Sequence, residues 1–240
     1  MIRSFCNTIQ AGEVMLERSE AHHLVSVMRV AVGERIEIFD GKGGLGQAVI
    51  TKVTRRDVTL EVEKVETFPM RDSGRVVIAT SIAKGQRFDN LITKCTELGA
   101  DHIAPVVFER TVKLASGASA EEKYGKRAIS ACKQCGRVFL PEISRPASLA
   151  DAIAALKKSY PEARLIFGSL SDGAESITEL TCDGKDTVAF VGPEGGLTDA
   201  EESLLKESGA LPVRLTETVL RIETAAIAMA AILCVRRDGK

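Results

Sequence analysis

The hydrophobic rhythm of this 240-residue chain changes once, near residue 70, and that change limits the fold more than any other feature. Before it, apolar and polar residues alternate with period two over residues 34–39, 47–53 and 57–62. Such runs, separated by glycine or charged turns, predict a small antiparallel barrel. One short helix is expected to interrupt it, near residues 19–24, and residues 67–74 read as a linker. After it, short apolar runs at 75–80, 102–108, 164–168, 187–192 and 211–215 read as buried strands. Helical patterns lie between them. Phe88, Leu91, Ile92, Cys95 and Leu98 recur at helical spacing, with Gly99 as the stop. Further helices are expected over 121–136, from Ser148 with Asp151 three residues on to just before Pro161, from a Thr198-x-x-Glu201 capping box, and over 223–237. Alternating strand and helix predict a parallel α/β sheet. The chain therefore divides into a barrel domain at 1–70 and an α/β domain at 71–240.

Composition narrows the class. A hydrophobic fraction of 45% with 27% charged residues is that of a globular chain, which excludes disorder and coiled coil. The longest apolar run, 225–235, is too short for a membrane span, and the first residues hold no apolar leader. Cytoplasmic residence follows as an expectation, with Cys6, Cys95, Cys132, Cys135, Cys182 and Cys234 as reduced thiols. With no Trp, two Tyr and eight Phe, a mechanism built on rows of stacking aromatics is not expected. The net charge of −1, taken alone, speaks against a nucleic-acid partner. Divided along the chain it says something else. Residues 1–70 carry 9 basic and 10 acidic side chains (−1), residues 71–145 carry 13 and 8 (+5), and residues 146–240 carry 10 and 15 (−5). Phosphate contacts are to be sought in the middle third.

Several motifs can be weighed on spacing. Gly41-Lys42-Gly43-Gly44-Leu45-Gly46 fits G-x-G-x-x-G, but a strand comes after it where the dinucleotide fingerprint needs a helix, so it reads as a hairpin. Cys132-Lys133-Gln134-Cys135 lacks a second ligand pair for zinc and lies at a helix C-terminus, so packing cysteines are the reading and no metal is expected. His22 and His23 point to different helix faces and read as surface or packing residues. Val191 to Thr198 carries three glycines between a buried strand and a capped helix. Such loops lie at the carboxyl ends of parallel strands, where α/β sheets bind ligands. Glu194 within the loop, and the lack of Lys or Arg beside it, favour a neutral or cationic ligand over a phosphate. Arg221 and Glu223 open the last helix in an apolar context. They are either a surface ion pair or groups aimed at a substrate.

Five blocks resemble the RsmE family, the small-subunit ribosomal RNA uridine-N3 methyltransferases of the SPOUT class. His23-Leu24 with Met28-Arg29-Val30 and Gly33 is similar to H-L-x-x-V-L-R-x-x-x-G. Lys84-Gly85 through Lys94-Cys95-Thr96-Glu97-Leu98-Gly99 resembles K-G-…-K-x-T-E-L-G. Gln134-Cys135-Gly136-Arg137 resembles E-Q-S/C-G-R without its Glu, which is Lys133 here. Gly192-Pro193-Glu194-Gly195-Gly196-Leu197-Thr198 resembles G-P-E-G-G-F-T with Leu197 for the aromatic. Val219-Leu220-Arg221-Ile222-Glu223-Thr224-Ala225 resembles I-L-R-T-E-T-A with Ile222 for a threonine.

The resemblance implies a PUA-like barrel for RNA, an α/β domain with a deep trefoil knot, a homodimer, and S-adenosylmethionine as methyl donor. On that basis Gly168, Gly192, Pro193, Glu194, Gly195, Gly196, Leu215 and Leu220 are expected to hold the cofactor. Arg221 and Glu223 are expected to act on a uridine, Arg221 on its carbonyl oxygens and Glu223 as base or as positioner of Arg221. Arg3, Arg29, Lys84, Arg87, Lys94 and Arg137 are expected on the RNA backbone, with ribosomal RNA or the small subunit as partner. A non-catalytic RNA-binding or ribosome-assembly protein, and a SPOUT enzyme acting on another nucleotide, are the alternatives.

Overall fold

The computed structural model describes residues 1–111, 118–181 and 183–239. Cys182 therefore lies outside the described residues. The chain forms two compact units, Met1–Met70 with Cys132–Leu140, and Arg71–Ala131 with Pro141–Lys240.

The first unit holds β1 (Ile2–Phe5), β2 (Gly12–Met15), α1 (Arg18–His23), a π-helical turn over Leu24–Met28, β3 (Arg35–Phe39), β4 (Gly44–Val53) and β5 (Val58–Thr67). They make one five-stranded sheet in the order β1-β3-β4-β5-β2. Four strands pair antiparallel, as the alternation predicts. The expectation of a purely antiparallel barrel needs correction at one edge, where β1 runs parallel to β3 with Ile2 opposite Ile36. The segment between them, containing β2 and α1, is long enough for the crossover that parallel neighbours require. Leu24, Ile36, Ile38, Ile50 and Leu60 are fully buried between sheet and helix. Each such side chain contributes about 1.5–3 kcal/mol of hydrophobic stabilisation. The Gly41–Gly46 segment turns β3 into β4. Asp40 Oδ1 accepts the Lys42 and Gly44 amides at 2.7 and 2.9 Å. Residues 132–140 dock on this turn, Gly43 N donating to Val138 O and Leu140 N to Gly41 O.

The second unit is a parallel sheet with helices. Its elements are β6 (Val76–Ser81), α2 (Gln86–Leu98), β7 (His102–Val107), the body of α3 (Ala118–Cys135), β8 (Glu142–Ile143), β9 (Ala147–Ser148) and α4 (Leu149–Ser159). Next come β10 (Arg164–Gly168), β11 (Glu175–Ser176), β12 (Thr187–Val191), α5 (Asp199–Glu207), β13 (Leu211–Arg214) and α6 (Ile222–Asp238). The strand order is β11-β13-β10-β12-β6-β7-β8, with β9 also on β7, and every pair is parallel. The central strands β6 and β12 are buried along their whole length, as strands covered on both faces must be. Val77, Ala79, Phe167 and Phe190 pack with α4 and with Leu205 of α5. On the other helix layer α2 packs against α6, and α6 against β6 and β12. His102 is buried, with Nδ1 3.0 Å from the Tyr160 hydroxyl and Nε2 2.5 Å from that of Ser144. Burial lowers its pKa and keeps the ring neutral. Among the described residues, no helix is long and apolar enough to cross a membrane.

Candidate active site

Because the strands are parallel, their carboxyl ends share one edge of the sheet. There the segments following β10, β12 and β13 enclose a cavity of about 540 Å³. Gly168, Gly192, Pro193, Glu194, Gly195, Gly196, Leu215 and Leu220, the residues expected to hold a cofactor, all line it. The remaining lining is of hydroxyls (Ser169, Ser171, Thr216, Thr218), apolar groups such as Leu170, Val219 and Met229, and Glu202. Among the described residues, no Lys or Arg lines it.

Two positions of the loop require glycine. A Cβ on Gly192 would stand 2.8 Å from Leu197 Cδ2. Gly196 has φ +75°, in the left-handed region that L side chains avoid. Thr198 then closes the loop as the N-cap of α5, in the capping box the sequence predicts. The Glu201 carboxylate has two tasks. Its Oε2 accepts the Thr198 amide at 2.9 Å, and its Oε1 accepts the Glu109 amide at 2.7 Å. Next to Glu109, Arg110 donates from a terminal nitrogen to the Gly195 carbonyl at 2.6 Å. Sequence reasoning missed Arg110, which in sequence is an ordinary charge after a strand.

Arg221 is the N-cap of α6; its carbonyl accepts the Ala225 amide at 2.9 Å, and its side chain has no hydrogen bond or ion pair among the described residues. It is exposed and directly follows Leu220 of the cavity wall. Glu223 lies in the first turn of α6 with its side chain 13% exposed, and its Oε2 is buried without a hydrogen-bond donor. Arg87, in the first turn of α2, reaches both acids. One terminal nitrogen is 3.6 Å from Glu194 Oε1, and Nε is 4.0 Å from Glu223 Oε1. Ile222 replaces a family threonine without exposing apolar surface, because its side chain is buried under the first turn of the helix.

The residues expected on RNA are divided between the two units. In the first unit Arg29 is exposed and holds φ 55°, a conformation uncommon for a non-glycine residue. Arg3 is engaged within the first unit. Its side chain is 9% exposed, its Nε pairs with Glu37 at 3.1 Å, and it donates to the Arg137 carbonyl at 3.2 Å. In the second unit Lys84 is exposed and Lys94 pairs with Glu97 at 2.7 Å. Part of the basic charge of the middle segment is engaged within the protein. Lys123 and Arg127 both face Asp89, at 2.8 and 3.4 Å, and Lys133 holds Glu20 at 3.0 Å.

Cys132 and Cys135 occupy the last turn of α3. The Cys132 thiol hydrogen-bonds Cys135, whose pKa is lowered to about 6 despite partial burial. Among the described residues, no three His, Cys, Asp or Glu side chains are grouped to hold a metal ion.

Comparison with known proteins gives the same picture from outside. A family model described as RNA methyltransferase domain matches residues 70–234, and one described as RNA methyltransferase PUA domain matches residues 16–63. The chain is 29% identical over 223 residues to ribosomal RNA small subunit methyltransferase E of Synechocystis, covering 91% of this chain and 72% of that protein. It is 28% identical to the protein of the same name from Bacillus subtilis, covering 93% and 90%. Among solved structures, ribosomal RNA small subunit methyltransferase E from Neisseria gonorrhoeae, bound to S-adenosyl methionine, superposes with a TM-score of 0.85 at 30% identity, covering 96% of this chain and 95% of that one. With both units matched in chain order and a relative aligned over nearly its whole length, the chain belongs to the ribosomal RNA small subunit methyltransferase E family of RNA methyltransferases.

Proposed function

We propose that this enzyme transfers a methyl group from S-adenosylmethionine to N3 of a uridine in 16S ribosomal RNA. The observation that carries the reading is the cavity at the ends of β10, β12 and β13. It falls within the roughly 300–1,000 Å³ typical of small-molecule sites. Its lining of glycine backbone, hydroxyls, leucines and carboxylates, without a basic side chain among the described residues, suits an adenosine bearing a cation rather than a phosphate. The backbone of Gly192 to Gly196 would read the adenine edge. Leu215 and Leu220 would cover its faces, and Gly168 would leave room beside Met229, whose Cε a Cβ there would approach to 3.2 Å. When bound, S-adenosylmethionine supplies an electrophilic methyl group.

The chain's own residues handle the other substrate. N3 of uridine is a poor nucleophile while it holds its proton, and the base must leave its stack to reach the site. The unengaged Arg221 guanidinium would orient the two carbonyl oxygens flanking N3 and stabilise the negative charge that appears as the proton leaves. Glu223 would keep Arg221 in place from the same helical turn. Arg29, Lys84, Lys94 and Arg137 remain as RNA contacts. A trefoil knot through the loops at 192–198 and 215–221, a homodimer covering the exposed Leu170 and Val219, and cytoplasmic residence belong to the same reading. Sedimentation of the purified protein tests the dimer.

The deciding experiment incubates the protein with labelled S-adenosylmethionine and small-subunit particles lacking the modification, and maps the label by mass spectrometry. Label at a uridine N3 is expected. Label on another nucleotide would correct the substrate, and no incorporation would overturn the reading. Arg221→Ala should lower kcat by about 10²–10³-fold, as loss of a donor to developing charge does, with cofactor affinity unchanged. Equal loss of both would place Arg221 in the cofactor site.

A further inference from the structure

We infer that Arg87 is a positioning residue of the methyl-transfer centre, tying the glycine loop through Glu194 to the first turn of α6 through Glu223, and not a phosphate contact. The inference rests on the proposed function for the identity of the reaction, but its geometry stands apart from the identity of the base.

Three observations carry it. First, Arg87 is within ion-pair distance of two carboxylates from different elements, 3.6 Å from Glu194 and 4.0 Å from Glu223. One guanidinium and two carboxylates sum to −1, so the cluster repels a phosphate where an isolated arginine would attract one. Second, Glu223 needs a cation. Its Oε2 is buried without a donor, and an ionised carboxylate in that position is costly unless an opposite charge offsets it. The N-terminus of α6 supplies part of that charge, and Arg87 is the one basic side chain paired with Glu223 among the described residues. Third, the arrangement suits arginine in particular. A planar guanidinium presents donors in a fixed fork to partners on different sides, whereas a lysine ammonium is a point charge.

Both separations exceed hydrogen-bond length. The clamp thus holds by charge, with room to tighten when substrates bind, as contacts in ligand-free active sites often do. Its consequence is local. Arg221 stands two residues before Glu223, so fixing Glu223 fixes the turn that aims Arg221. Fixing Glu194 sets the wall of the cavity opposite. Both substrates are then registered through one side chain that need touch neither.

The test compares Arg87→Ala, Arg87→Lys and Glu223→Gln with wild type. It reads kcat at saturating RNA, RNA affinity against salt, and cofactor affinity. A positioning role predicts that Arg87→Ala lowers kcat about 10- to 100-fold, the scale of a small misplacement of reacting groups. RNA affinity should keep its salt dependence. Arg87→Lys should recover little, and Arg87→Ala should add little in the Glu223→Gln background. A phosphate contact predicts the reverse. The slope of log affinity against log salt would then fall by about 0.7–0.9 in magnitude, Arg87→Lys would retain function, and kcat at saturation would be unchanged. That result would overturn the inference. If Arg87→Ala does not fold, Arg87→Lys keeps the charge and decides between the roles by kcat alone. If wild type methylates a base other than uridine, the proposed function fails while the Arg87 comparison is still read on the base that is modified.

Discussion

Two glycine-rich segments of similar composition do opposite work in the two units. In the hairpin between β3 and β4, Gly43 has φ +106°, and a Cβ there would stand 2.5 Å from the Phe68 carbonyl oxygen and 2.7 Å from the Phe139 ring. The missing side chain is replaced by protein. In the loop after β12, a Cβ on Gly195 would meet only the flexible Arg110 side chain, at 3.3 Å. There the missing side chain leaves a cavity wall made of backbone. Glycine count does not separate these cases. The next element along the chain does, being a strand in one and a capped helix at the carboxyl edge of a parallel sheet in the other.

Substitution at each segment tests the contrast, and the hairpin gives the larger effect. Gly43→Ala forces a left-handed backbone on alanine and a clash on a backbone oxygen that cannot move aside. It should destabilise the protein by about 2–5 kcal/mol, measured by denaturant unfolding. The folded fraction should bind S-adenosylmethionine as wild type does. Gly195→Val should reverse the pattern. Its side chain displaces Arg110 and fills cavity space, so calorimetry should show binding weakened by about 100-fold, or about 2.8 kcal/mol, with unfolding little changed. Stability losses of equal size in the two variants would show that the loop after β12 is a structural turn like the hairpin.

The same contrast explains what the sequence reveals. Burial periodicity exposed every long element, because Val76–Ser81 or the Phe88/Leu91/Ile92/Cys95 stripe can be buried in few ways. It did not reveal β1 and β2, four residues each, where alternation cannot be told from chance. Nor could it show that residues 132–140 pack with the first unit, since that depends on backbone hydrogen bonds, Gly43 N to Val138 O and Leu140 N to Gly41 O, and on polar contacts such as Lys133 to Glu20, which periodicity does not report. The glycines that line the cavity were legible because glycines between strand and capped helix have a distinct chemistry. The surroundings of Arg3, Arg87 and Arg110 were not, because a basic side chain looks the same in sequence whether it faces solvent, a half-buried Glu37, a pair of acids or a carbonyl. Charge counted by segment had the same weakness. It located the excess but could not see that Glu20 and Glu194, from outside the segment, answer part of it.

The finest test separates the shape of the loop from the contacts that hold it. Thr198→Ala removes one acceptor, the hydroxyl that takes the Glu201 amide at 3.3 Å. Loss of an N-cap of this kind costs about 1 kcal/mol, and the Glu201 carboxylate remains on the Thr198 amide, so cofactor affinity should change by less than about twofold. Glu201→Ala removes both ends of a longer connection. It frees the Glu109 amide, and with it the segment from which Arg110 grips the Gly195 carbonyl. If that grip sets the cavity wall, cofactor affinity should fall further in Glu201→Ala than in Thr198→Ala, beyond the difference in their stabilities. Proportional losses of affinity and stability in both variants would mean that α5 alone holds the loop. The distinction between a filled glycine turn and an open one would then rest on Gly192 and Gly196 and their immediate neighbours, with no contribution from Arg110.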